Sequence, residues 1–345
     1  MMYLLFTADS FMQSALDEIG KAARYDILDS QRNILLIESE ETRIEKFEDM
    51  KFVYGAFPIH CKSDLDYEDY LGSLYRGIAS LNLERNKRLK LECFDINCKI
   101  GKSAKDIEVA VGKMLESGGY NINIIAPEVL AYVVLLNGKS YFGSMKLGGR
   151  YGFVNPFRIY KSKNVSRSEF KIIESFSEFG IKTPGLVVDI GAAPGGWSAF
   201  LAGKGAAVVA VDSADLDYES IGRLGLCCNV SQDKSKVDLD NLKGGCILHL
   251  KMRSEDAIDL LPREAADMLV DDMNVGGIDS AETVIKISGA LKRGAVLIMT
   301  LKCMHRNVMA YISEVEEGIN KEFEVKRWKV LPHNRQEITL FAIKR

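Results

Sequence analysis

Leu186-Val187-Val188-Asp189-Ile190-Gly191-Ala192-Ala193-Pro194-Gly195-Gly196-Trp197 is the stretch whose reading decides the fold. Leu186, Val187, Val188 and Ile190 make a short apolar run with one acid near its end, which is the composition of a parallel strand covered on both faces. Gly191, Gly195 and Gly196 then allow unusual backbone angles and close approach of a ligand, and a helix restarts at Trp197. Strand, glycine turn and helix together frame a nucleotide-type cofactor. The spacing is not that of the dinucleotide fingerprint, because no glycine stands two residues after Gly191, and no Walker lysine follows.

Working outward, strand and helix signals alternate. A helix is expected over residues 169–179, strands over 186–190, 207–211, 247–250 and 268–270, and a helix over 281–291. A strand at 295–301, a helix at 307–319 and strands at 323–330 and 338–343 complete the pattern. This predicts an α/β fold: a Rossmann-like, doubly wound and mostly parallel sheet, with the last two strands as an antiparallel edge and ligands at the carboxyl ends of the strands. Several chemistry-bearing residues fall at those ends. Asp212 closes the second strand, where such sheets place an acid for ribose hydroxyls, and Asp271-Asp272-Met273-Asn274 closes the fourth. Lys302 follows the apolar run 296–301, Glu337 stands just before the last strand, and Lys171 lies in the helix preceding the first strand.

Asp189 to Ser198, read as Asp-Ile-Gly-Ala-Ala-Pro-Gly-Gly-Trp-Ser, resembles the S-adenosylmethionine loop of the FtsJ-like (RrmJ-type) RNA ribose 2'-O-methyltransferases. The resemblance implies S-adenosylmethionine as cofactor, held by Asp189, Gly191, Ala192, Ala193, Pro194, Gly195, Gly196, Trp197 and Asp212. Within Ser254-Glu255-Asp256-Ala257, Asp256 or its neighbour Glu255 would approach the adenine amino group, and Asp256 is taken as the contact. It also implies a Lys-Asp-Lys-Glu tetrad at Lys171, Asp272, Lys302 and Glu337. The approach Arg167-Ser168-Glu169-Phe170-Lys171 and the pair Asp272-Met273 match the family's context. Asn274-Val275 departs from it, standing where the family commonly has Ala-Pro, and Asp271 is a second acid ahead of the tetrad position.

The residue types suit the chemistry. A ribose 2'-hydroxyl is a weak acid, so methylating it requires removal of its proton or alignment of its lone pair with the methyl-sulfur bond. Lys302 is the candidate for either role. A lysine ordinarily titrates at about 10.4, so service as a base at neutral pH needs burial or a neighbouring cation such as Lys171. Asp272 and Glu337 would orient the lysines. No metal is required, and His60, His249, His305 and His333 lack ligand spacing and read as structural or surface residues.

With 345 residues the chain is long enough for two or three compact units. Residues 1–62 read as a ferredoxin-like α+β unit. Residues 63–147 resemble a THUMP domain, a module of RNA-modifying enzymes, in which Ser103 caps a helix and Asn137-Gly138 turns a hairpin. Residues 148–165 form a basic and aromatic linker, and 166–345 the methyltransferase domain. The net charge of -3 means that any RNA surface must be local. Lys146, Arg150, Arg158, Lys161, Lys163 and Arg167, interleaved with Tyr151, Phe153, Phe157 and Tyr160, supply one: cations for phosphates and rings for bases.

The seven cysteines lack a Cys-x-x-Cys pair and read as reduced thiols of a cytoplasmic protein. No run approaches membrane-spanning length, and no obligate protein partner is evident. The domain order resembles RlmM-type enzymes of large-subunit ribosomal RNA, which favours ribosomal RNA as substrate, with transfer RNA open because THUMP modules commonly engage it. Two alternatives are weighed. Base N-methyltransferases joined to THUMP modules carry an Asn/Asp-Pro-Pro-Tyr/Phe turn where this chain has Asp271-Asp272-Met273-Asn274, and Cys303 lacks the setting of a cytosine C5 nucleophile. A non-catalytic RNA-binding or assembly factor would not need the intact glycines and tetrad.

Overall fold

A computed structural model of the protein describes residues 1–147, 165–232, 242–303 and 307–345. Arg150, Arg158, Lys161, Lys163 and His305, and the linker up to residue 164, lie outside the described residues. The chain divides into two compact units, Met1–Thr7 with Ala15–Arg158, and Ala8–Ser14 with Ile159–Arg345.

The first unit opens with β1 (Met2–Phe6), α1 (Met12–Ala22), β2 (Tyr25–Gln31), β3 (Ile34–Ser39), α2 (Glu45–Glu48) and β4 (Gly55–Ile59). The sheet order β2-β3-β1-β4, with β1 antiparallel to β3 and β4, is the ferredoxin-like arrangement. The sequence reading missed β2. As an edge strand exposed along most of its length, it carries Asp26 and Asp29 and no apolar alternation.

Next come β5 (Cys61–Asp64), α3 (Tyr70–Ala79), β6 (Arg88–Asp95), α4 (Ala104–Ser117), β7 (Asn121–Ile122), β8 (Val129–Leu136) and β9 (Lys139–Lys146), with sheet order β5-β9-β8-β6-β7. Ser103 and Asp106 close a reciprocal capping box on α4, worth about 1 kcal/mol. Asn137 and Gly138 both take positive φ, 51° and 71°, the requirement of a tight two-residue hairpin turn. Leu4, Phe6, Leu36 and Phe57 from the first sheet share one core with Phe94, Leu130 and Tyr132 from the second, and the Tyr132 hydroxyl donates to the Pro58 carbonyl at 2.5 Å.

The second unit is the doubly wound sheet. Its elements are α5 (Glu169–Phe179), β10 (Leu186–Ile190), α6 (Gly196–Gly203), β11 (Ala207–Val211), α7 (Tyr218–Arg223), β12 (Cys227–Ser231) and β13 (Cys246–Leu250). They continue with α8 (Ser254–Ala257), β14 (Ala266–Asp271), α9 (Gly277–Ile287), β15 (Leu291–Lys302), α10 (Val308–Ile319), β16 (Phe323–Lys329) and β17 (Glu337–Lys344). The sheet runs β12-β13-β11-β10-β14-β15-β17-β16, parallel except for the antiparallel pairs that β17 makes with β15 and β16. The antiparallel edge expected from sequence is therefore present. β12 was not anticipated, being a mostly exposed edge strand without an apolar run.

The strand order reverses between β10 and β14, so their carboxyl ends flank the crevice where open sheets of this kind bind ligands. Val187, Val208, Ala210, Met268, Val270 and Ile298 pack beneath it with Trp197 and Leu201 of α6. Among the described residues no helix is long and apolar enough to cross a membrane.

Candidate active site at the switch point

The glycine turn is shaped by backbone needs on both sides. Gly191 has φ of 69°, and a Cβ there would lie 2.8 Å from the Cα of Met273, while a Cβ on Gly196 would overlap the Ser166 hydroxyl. Gly195 has φ of 105°, outside the ordinary range of L side chains. The N–H groups of Gly191 and Ala192 donate to the Val211 carbonyl at 3.1 and 3.3 Å, tying the turn to β11. Directly after β11, Asp212 accepts from the N–H groups of Ala193 at 3.0 Å and Ala214 at 2.8 Å. Each carboxylate oxygen keeps further lone-pair capacity for hydroxyl donors.

Other residues of the set serve the frame with their side chains. Trp197 is 2% exposed and its indole N–H donates to the Ser168 carbonyl at 2.8 Å, anchoring α6 to the start of α5. Asp189 is buried and its carboxyl accepts from the Ser198 hydroxyl at 2.5 Å. Burial pushes the Asp189 carboxyl up to about 8; the bond from Ser198 opposes the rise, and the negative charges of Asp272, Asp271 and Asp212 add to it. Pro194 is exposed, Ala192 buried and Ala193 half-buried. Asp256 and Glu255 are both exposed on α8, and Glu255 pairs with Arg253 at 3.6 Å.

The tetrad types converge at the same rim. Lys171 on α5 places its Nζ 2.8 Å from Asp272 Oδ1 and 2.8 Å from Glu337 Oε2. Burial works to lower the Lys171 pKa, but the charges of Asp272 and Glu337 and their hydrogen bonds outweigh it, so the net shift is upward and the group stays an ammonium. Thr300, which the sequence reading did not single out, donates to Asp272 Oδ1 at 2.6 Å. Lys302 is the register partner of Glu337 across β15 and β17, and its Nζ donates to the side-chain oxygen of Asn274.

Asp271, the extra acid, is wholly buried: it accepts from the Ser280 hydroxyl and, at 2.9 Å, from the N–H of Met273. Burial raises its carboxyl to about 7, opposed by those two bonds. It braces the turn that aims Asp272. A second brace was also invisible in sequence: buried Glu174, one turn after Lys171, bonds the ring and the N–H of His333 in the loop leading to Glu337. His249 is buried between Tyr218 and the Asp212 carbonyl, again structural. Lys146 and Arg167 are exposed.

A parallel sheet with a glycine turn at its switch point, an acid just after the next strand and an antiparallel pair, β17 and β16, at one side defines the class: a Rossmann-like methyltransferase fold whose cofactor is S-adenosylmethionine. The family follows from the sequence of that unit. Residues 164–311 match the FtsJ-like methyltransferases and form a domain of that family.

Among curated proteins, the chain is 27% identical over 228 residues to ribosomal RNA large subunit methyltransferase M of Marinomonas sp., covering 61% of this chain and 57% of that protein. The protein of the same name from Shewanella denitrificans is 27% identical over 184 residues, 48% of each. An uncharacterized protein of Methanocaldococcus jannaschii is 25% identical over 194 residues, 54% of this chain and 48% of the other. The chain thus spans about half the length of these relatives.

Proposed function

We propose that this protein is an S-adenosylmethionine-dependent RNA ribose 2'-O-methyltransferase acting on structured RNA, with large-subunit ribosomal RNA as the favoured substrate and transfer RNA as the second. The observation that carries the reading is the shared ammonium of Lys171, bonded at once to Asp272 and Glu337, with Lys302 in register beside Glu337 at the rim of the glycine turn. The matched family and the two relatives named as large-subunit ribosomal RNA methyltransferases support it.

The cradle fits the cofactor, because side chains at Gly191 and Gly196 would collide with their surroundings and Asp212 retains acceptor capacity. Gly191 to Trp197 would hold the methionine end, Asp212 the ribose, and the α8 acids, Asp256 first, the adenine. Bound there, S-adenosylmethionine would supply an electrophilic methyl carried on a sulfonium. Lys302 would take the proton that the 2'-hydroxyl gives up on methylation. Lys171, fixed by Asp272 and Glu337, keeps the acids in place and presents positive charge to the RNA side. Asp189 acts from behind the turn through Ser198. Lys146 and Arg167, with Arg150, Arg158, Lys161 and Lys163, contact the phosphate backbone, and the THUMP-like residues 63–147 engage the RNA.

The experiment is transfer of labelled methyl to RNA from cells lacking this gene, followed by alkaline hydrolysis. Ribose methylation leaves the labelled linkage intact, whereas a label whose linkage still cleaves refutes the ribose assignment. No transfer to any cellular RNA despite cofactor binding refutes the enzyme.

A further inference from the structure

The two lysines at the rim are held by partners of different kinds. Lys171 meets two carboxylates, Asp272 and Glu337, at 2.8 Å each. Lys302 donates instead to a neutral amide, the side chain of Asn274 on the exposed turn between β14 and α9. The neighbouring acids hydrogen-bond to other groups: Asp272 to Lys171 and Thr300, Glu337 to Lys171, and Asp271 to Ser280 and the Met273 N–H. A carboxylate at position 274 would favour the ammonium form of Lys302. An amide orients the nitrogen without adding a charge.

We propose that Asn274 is a positioning residue for Lys302: its neutral side-chain oxygen accepts from the Lys302 amine and aims it at the acceptor hydroxyl without adding a charge. The inference rests on the reading of Lys302 as the proton acceptor. Asn274 is exposed on a turn, so its replacement leaves the core untouched. The charged groups around Lys302 are Asp271 at the end of β14, Asp272 just after it, Glu337 on β17 and Lys171 on α5, and an Asn274 substitution alters none of them.

The test uses the full chain with labelled S-adenosylmethionine and RNA from cells lacking the gene, measuring single-turnover transfer across pH. Asn274→Ala should lower the plateau rate about 10- to 100-fold, as expected for a misaimed catalytic group, with cofactor affinity unchanged. Asn274→Asp should retain more of the plateau but move the acid limb of the profile about 1 unit to higher pH, because the new charge holds the Lys302 proton. An Asn274→Ala rate within twofold of wild type, or an Asn274→Asp profile that superimposes on wild type, overturns the proposal. Lys302→Ala separates the two layers. If it is inactive while the Asn274 variants are silent, only the role of Asn274 falls; if it turns over normally, the reading of Lys302 falls with it.

Discussion

Lys171 and Glu337, from the helix that opens the second unit and the strand that closes it, meet at 2.8 Å, and Asp272 shares the same ammonium. Three elements distant in sequence are thereby locked at one rim. Replacing Lys171 by Ala would leave two largely buried carboxylates facing each other. The expected cost is about 1–3 kcal/mol in chemical denaturation, together with loss of methyl transfer. Glu337→Gln keeps Lys171 paired with Asp272, so it should lower transfer with little loss of stability.

Gly196 and Gly191 separate two kinds of steric demand. Gly196→Ala drives its new methyl onto the hydroxyl of Ser166, which is bonded to Ser168 at 2.7 Å. Cofactor affinity, read by calorimetry, should fall, and the double variant Gly196→Ala with Ser166→Ala should recover part of it. Gly191→Ala meets the backbone of Met273 and has φ of 69°, so no single side-chain removal should rescue it.

Asp189 and Asp271 make stability depend on pH. Both carboxyls are raised, to about 8 and about 7. Below the unfolded carboxyl range the proton is bound in folded and unfolded chains alike and the full stability is present. As pH rises toward 8 the unfolded chain sheds these protons first, so the stability they lend the fold is lost across that window. Asp189→Asn removes one of the two groups. Its stability relative to wild type should rise by more than about 1 kcal/mol between pH 5 and 8, measured by urea unfolding at each pH. A pH-independent difference would contradict the buried, protonated carboxyl.

Glu174 and His333 brace the two elements that carry Lys171 and Glu337. Burial raises the Glu174 pKa and the His333 partnership opposes that rise. His333→Ala should destabilise the protein by about 2 kcal/mol through the stranded carboxyl. Without His333 the Glu174 carboxyl is raised further, so the deficit should grow as pH increases above the ordinary carboxylate range. Thermal unfolding of the variant at two pH values checks both the size and the sign.

Much of the second unit was legible in the chain. β10, β11, β14 and β15 are apolar runs buried on both faces, and such runs carry their own signature. β2 and β12 were not legible, because an exposed edge strand buries little and its residues are chosen by solvent and by the neighbouring backbone. The same division holds at the site. Asp272, Lys302 and Glu337 stood out by motif and by position at strand ends and Lys171 by motif on the helix before the first strand, whereas Thr300, Ser280, Glu174 and His333 are ordinary residues until a neighbour is brought to them.

The sequence by itself determined a doubly wound sheet, a glycine turn at its first strand and the lysines and acids that stand near its strand ends, because these follow from local periodicity and short spacing. Only the tertiary structure decided who pairs with whom. The register of β15 against β17 sets Lys302 beside Glu337, the packing of α5 brings Lys171 to both acids, and the turn after β14 gives Lys302 an amide for a partner. Those choices are long-range contacts between elements far apart in the chain, and they give one lysine two carboxylates and the other an amide.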